Sequence, residues 1–319
     1  MLPCNALSSV TVHGLVFRDG VSIPQTFQKG TSRQGRVYNF QNDYFKRPGG
    51  LSVHPLSSLT SPGNEHLSIS LGETLGYGRI GTVHEANLLT RESNLPPLVM
   101  KISRHKRSAH VEQETWFYEE LEQVQGIAVP RCYGLFQAHI NAGSEVSVWK
   151  EERKHRSREF EKSEESDESS QSSESDYGAP KFDWDIPNSK GGIVPVFPPP
   201  DPTLITILLL ERLGERMPME EPLDTIEPDV YEIYNDISRL GIEHLDIRWS
   251  NILSVQDPDH QPPENVCPNH GHAHRWRIVD FDLARKADGR VDYLDSCAES
   301  WLERLFTNLP RGVVVEPWD

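Results

Sequence analysis

The sequence predicts an α+β fold in which an antiparallel sheet with one helix precedes a smaller, more helical part. Three observations lead there. Apolar residues alternate on both sides of a glycine cluster at 67–89, a helical stripe begins at His110, and a strand, helix, strand, strand, helix order follows residue 203.

Residues 1–66 are rich in Ser, Gly, Pro and Asn without a sustained period. They are expected to form a partly irregular extension, with a short strand at VTVHGLVF, 10–17. From residue 67, LSISLGETLGYGRIGTVHEANLL reads as two strands joined by a turn containing Gly76, Gly78 and Gly81. PLVMKIS at 97–103 is a third strand. Val111, Thr115, Tyr118, Leu121 and Gln125 then share one helical stripe, which Gly126 ends. PRCYGLFQAHI is the next strand.

Residues 141–203 change character, from mixed charge to SEESDESSQSSESD to PVFPPPDP. Such a segment buries too little apolar surface to offset its chain entropy, so a disordered insertion is expected. TLITILLLERL resumes the core as a strand. Val230, Ile233, Ile237 and Leu240 have helical spacing within 227–242, NILSV and WRIVDFD are strands, and SCAESWLERLFTNL at 296–309 is a closing helix with Trp301, Leu302 and Leu305 inward.

The chain has 319 residues, enough for one large domain or two modest ones. Its 48 acidic and 32 basic residues leave a formal charge of -16, which disfavours nucleic acid as a partner. The longest apolar run, LITILLL, falls short of the roughly 20 residues of a membrane helix, so no membrane partner is expected. The N-terminus lacks the basic and apolar regions of a secretory signal, and four cysteines without paired spacing suit a reducing compartment. The expectation is a soluble intracellular protein, cytoplasmic or nuclear.

Several segments carry chemistry. Leu75 to Val83 matches G-x-G-x-x-G-x-V between two strands, where glycines let backbone approach phosphate oxygens. A ligand-free hairpin explains the three glycines as well. Lys101 lies on an apolar strand, where an ammonium needs an anionic partner, and Glu114 is the first choice for it ahead of Glu112. Taken alone, the same residues also fit an edge strand and a solvated helix face. Cys267, His270, His272 and His274 are four zinc-ligand types within eight residues, but the spacing fits no standard finger. No second ligand pair is evident, so a polar loop is the preferred reading. The acidic run at 163–176 is a solvated loop that also offers phosphorylation sites.

The segment Ile242-Glu-His-Leu-Asp-Ile-Arg-Trp-Ser-Asn-Ile-Leu253 resembles the H-x-D-x-x-x-x-N catalytic loop of the protein-kinase-like superfamily. That resemblance implies a bilobal protein-kinase-like fold. An antiparallel-sheet N-lobe with one helix would span 67–213, interrupted by the insertion at about 141–203, and a shortened, mainly helical C-lobe would span 214–319. It further implies that Asp246 orients and deprotonates the acceptor hydroxyl, Asn251 binds Mg2+, and Arg248 neutralises the transferred phosphate. His244 braces the loop. Val279-Asp-Phe-Asp282 resembles D-F-G, with Asp280 chelating Mg2+ and Asp282 in the glycine position.

By the same resemblance, Gly76, Gly78, Gly81 and Val83 cover the ATP phosphates, and Lys101 held by Glu114 reaches them. Leu210 is a gatekeeper, and the backbone of Glu211 and Leu213 takes the adenine. Only 37 residues follow Asp282, without an A-P-E element. This compactness is closer to small atypical kinases such as the RIO group, or to aminoglycoside phosphotransferases. The implied activity is transfer from Mg-ATP to a hydroxyl, most often on a protein Ser or Thr. A small-molecule acceptor and an inactive nucleotide binder are the alternatives.

Overall fold

Leu7–Arg18 (β1) and Val21–Lys29 (β2) pair antiparallel through an Asp19-Gly20 turn whose two residues both have positive φ, 52° and 78°. A computed structural model describes residues 5–48, 63–89, 95–149, 192–193, 199–218 and 223–309. The sheet continues in Glu65–Tyr77 (β4), Gly81–Leu88 (β5), Leu98–Ser103 (β6), Cys132–His139 (β7) and Leu204–Glu211 (β10). Arg36–Tyr38 (β3), Ser144–Val146 (β8) and Gly192–Ile193 (β9) are short additions.

Strand order β2-β7-β10-β6-β5-β4-β1, with β1 paired back to β2, closes these seven strands into a barrel. β1 lies parallel to β4, Val10 opposite Leu67 and Val12 opposite Ile69. The remaining barrel neighbours are antiparallel. Val10, Val12, Phe27, Leu67, Ile69, Met100, Ile102, Phe136, Ile205, Ile207 and Leu209 form one buried cluster. The alternate β10 residues Leu208 and Leu210 belong to a second cluster with Val111, Phe117 and Tyr118 of the helix Ser108–Glu120 (α1). β10 is thus buried on both faces, which accounts for its unbroken apolar run.

The second cluster extends to Ile233 and Ile237 of Glu227–Arg239 (α2), and to Leu302 and Leu305 of Val291–Asn308 (α3). Between these helices run the short strands Ile242–Glu243 (β11), Ile252–Ser254 (β12), Trp276–Ile278 (β13) and Arg285–Ala287 (β14). β12 pairs with β13, Ile252 opposite Ile278.

This architecture overturns the expected fold class. The protein is mostly β, with a closed seven-stranded barrel and few helices, and it is not a bilobal kinase-like fold with a mainly helical C-lobe. The physical reason lies at both ends of the chain. The segment expected to be an extension supplies β1 and β2, which close the sheet into a ring. After residue 214, α2 and α3 are interleaved with four two- or three-residue strands.

Residues 144–149, within the span expected to be an insertion, are structured. β8 pairs with β1, Val146 opposite Val16, and the buried Trp149 indole donates to the Ser103 carbonyl at 2.9 Å. The acidic run at 163–176 lies outside the described residues.

Candidate active site

The β4–β5 hairpin places the glycine loop at one end of the barrel. Its turn is closed by the Gly78 N–H donating to the Gly81 carbonyl at 2.8 Å, and the Arg104 guanidinium donates to the Gly78 carbonyl at 2.9 Å. The glycines differ in purpose. A Cβ on Gly81 would lie 2.6 Å from the Ile102 carbonyl oxygen of β6, so close strand packing requires that glycine. A Cβ on Gly76 would meet nothing within 4 Å. The open space there faces a cleft of about 1590 Å³.

Gly76, Gly78, Val83, Lys101, Glu114, Glu211, Leu213, Asp246, Arg248, Asn251 and Asp280 all line this one cleft. Gly81 does not; its place is beneath the strand.

Lys101 is 5% exposed on β6, and its Nζ lies 2.6 Å from Glu114 Oε2 on α1 and 2.6 Å from Asp280 Oδ1. Glu112 instead pairs with Arg33 at 3.1 Å and accepts from Gln137 at 2.7 Å. Burial works against the Lys101 ammonium, but Asp280 and Glu114 raise its pKa above the ordinary lysine value. Burial likewise opposes ionisation of Asp280, and Lys101 more than offsets it, holding that carboxyl below the usual range. Glu114 goes the other way, since burial pushes it up to about 7 despite the adjacent ammonium.

The loop between β11 and β12 is braced from inside. His244 Nε2–H donates to the Val279 carbonyl at 3.0 Å, and its Nδ1 accepts from the Asp246 N–H at 3.3 Å. Burial keeps this imidazole below its ordinary pKa, which suits a neutral ring serving as donor and acceptor at once. Asn251 Nδ2 donates to Asp246 Oδ2 at 2.8 Å and to the Asp246 carbonyl at 3.0 Å, and Arg248 forms an ion pair with Asp246 Oδ1. The Val279 N–H donates to the Asn251 carbonyl at 3.0 Å, which ties this loop to the one carrying Asp280.

Two details depart from expectation. The left-handed residue of the D-F-D segment is Asp280, φ 69°, while Asp282 sits in the following 3₁₀ turn. Asp282 is buried and pairs with Arg79 of the glycine loop at 2.8 Å, and burial together with the charge of Asp280 raises it to about 6. Sequence reasoning treated Asp282 as a glycine substitute and missed it as a third carboxylate. Ligand atoms of Asp246, Asp280 and Asp282 lie within 4.8 Å of one another. An all-oxygen set of this kind suits a hard cation such as Mg2+.

The Glu211 N–H donates to the Arg131 carbonyl at 2.9 Å, so that N–H is already engaged within the protein. No protein-family model and no curated protein matches this chain. Among the described residues no helix is long and apolar enough to cross a membrane.

Proposed function

We propose that the protein is a Mg-ATP-dependent phosphotransferase that moves the γ-phosphoryl group to a hydroxyl of a protein Ser or Thr or of a small molecule. The observation that carries this reading is the ammonium of Lys101, held 2.6 Å from both Glu114 and Asp280 on the same cleft as Asp246 and Asn251. A lysine fixed in this way presents one positive charge to phosphate oxygens without searching for it.

Asp246 accepts the acceptor hydroxyl's proton as that oxygen bonds to phosphorus and the bond from phosphorus to the β,γ-bridging oxygen breaks, with ADP leaving. Arg248, paired with Asp246, supplies positive charge beside the transferred group. Asp280 and Asp282 would hold Mg2+. When bound, that ion neutralises phosphate charge. Asn251 keeps the Asp246 carboxylate oriented.

A second reading, nucleotide binding without transfer, draws on the Arg79–Asp282 pair that joins the glycine loop to the Asp280 loop. The experiment measures Mg2+-dependent ADP formation and nucleotide-induced thermal stabilisation for wild type, Lys101→Met and Asp246→Asn. Transfer requires that Asp246→Asn lose about 10²–10⁴ in turnover while retaining the stabilisation. Stabilisation without turnover in wild type selects the second reading. Absence of stabilisation in wild type overturns both.

A further inference from the structure

Away from the cleft, a second group of buried side chains converges between α2 and the polar excursion that links β12 to β13. Of the four residues that the sequence singles out, Cys267, His270 and His274 stand there and His272 does not, which leaves the place of a fourth ligand. The fold supplies it from 31 residues upstream, because Asp236 lies in the last turns of α2.

Cys267 Sγ is 3.0 Å from Asp236 Oδ2 and 3.3 Å from His270 Nδ1. His270 Nδ1 is 3.4 Å from His274 Nε2 and 3.6 Å from Asp236 Oδ2, and His274 Nε2 is 3.7 Å from Asp236 Oδ2. A tetrahedral Zn2+ with bonds of about 2.0–2.3 Å holds its ligands about 3.3–3.8 Å apart. Four lone-pair donors of the types zinc prefers therefore already stand close to the corners of its coordination shell. Cys267, Asp236 and His274 are at most 1% exposed.

The surroundings orient His274 and Asp236 toward the centre. His274 Nδ1 lies 2.5 Å from Asp229 Oδ1 and its Nε2 faces the centre, the carboxylate–histidine arrangement that metal-bound imidazoles use. Asn269 Nδ2 donates to Asp236 Oδ1 at 2.6 Å, leaving Oδ2 for the ion. The ligand loop is folded on itself: the Gly271 N–H donates to the Cys267 carbonyl at 2.8 Å, and the Cys267 N–H to the His272 carbonyl at 2.8 Å. Gly271, φ 76°, makes that reversal.

A neighbouring set, Asp229, Glu232 and His272 with the other nitrogen of His274, is the weaker candidate. The His272 side chain is 49% exposed and that of Glu232 36%, and Asp229 is already occupied with His274 and with the Arg275 N–H at 2.8 Å.

We infer that Asp236, Cys267, His270 and His274 form a closed, structural Zn2+ site that fastens the ligand loop to α2. Four protein ligands leave no open position, so the site serves stability rather than catalysis. α2 runs through Gly241 into β11 and the loop bearing Asp246, so the ion would anchor the helix that leads into the cleft.

The test uses the full chain, purified without chelator and analysed for metal by plasma mass spectrometry. About one Zn2+ per chain is expected in wild type and in His272→Ala, and under about a tenth of that in Asp236→Ala and Cys267→Ser. A further measurement does not depend on those variants folding: wild type stripped of metal and titrated with Co2+ shows tetrahedral d–d bands with a thiolate charge-transfer band. Metal-free wild type that also gives no thiolate–cobalt band overturns the proposal. So does loss of zinc in His272→Ala together with its retention in Cys267→Ser.

Discussion

Lys101→Met removes the one cation between Glu114 and Asp280, two carboxylates whose oxygens each lie 2.6 Å from its Nζ. Methionine fills a similar volume, so the loss is electrostatic rather than steric. Glu114 is 1% exposed and cannot turn to water, and stripping the partner from a buried charge of this kind costs about 3–5 kcal/mol. The pH dependence follows from the carboxyl pKa values. In wild type Asp280 lies below its unfolded value, so its contribution is complete above the ordinary carboxylate range and is lost as pH falls.

Without the ammonium both carboxyls lie above their unfolded values, so that contribution is present at low pH and lost as pH rises. Loss of the Asp280 contribution in the variant therefore widens the gap between wild type and variant from about pH 5 to about pH 8, and Glu114, already raised to about 7 in wild type, adds to the gap only above that value. Urea unfolding of nucleotide-free protein at those two pH values reads the gap directly. Adding Glu114→Gln to Lys101→Met should recover about 1–3 kcal/mol at the higher pH. A loss below about 1 kcal/mol, or a gap that does not change with pH, refutes the reasoning.

Gly81→Ala forces a Cβ toward the Ile102 carbonyl, 2.6 Å away, and should cost about 1–3 kcal/mol in thermal unfolding. Gly76→Ala, in open space, should stay within about 0.5 kcal/mol of wild type and weaken nucleotide-induced stabilisation instead. Burial, with Arg79 and Arg107 nearby, lowers the His110 imidazole to about 4. A depressed folded pKa contributes stability above the unfolded value of about 6.5 that is lost as pH falls toward the folded one, so His110→Gln should flatten the acid limb of stability; an NMR titration midpoint near the unfolded value would contradict this. Deleting residues 1–30 removes two of the seven barrel strands, and near-ultraviolet dichroism should show loss of fixed aromatic packing.

The site was more legible than the fold, for a physical reason. Lys101, Asp246, Asn251 and Asp280 belong to short motifs whose spacing is set within a few residues of each side chain, and the chain brings them to one cleft. Barrel closure depends on the parallel pairing of β1 with β4, partners some 57 residues apart, which periodicity does not encode. β2 also hides its role, because Val21–Lys29 contains Pro24 and buries only Phe27 completely. The Asp19-Gly20 turn was the available local cue to its hairpin. Asp236 was invisible for a related reason, since a helix residue joins the histidine loop only once α2 has docked.

The pairing of β1 with β4 stops at Ser70, whereas β4 runs on to Tyr77 alongside β5 alone, with register breaks after Leu71 and Thr74. β5 meanwhile is fastened to β6 from Gly81 to Ala86. The hairpin is therefore clamped along one side and free along the other, like a page bound at a single margin. Its motion should be a twist about the break near Gly72 rather than a lift of the whole flap. Amide exchange should then quicken stepwise past Leu71 along β4 while β5 stays protected, so that a phosphate-bearing ligand enters beneath the β4 side of the lip.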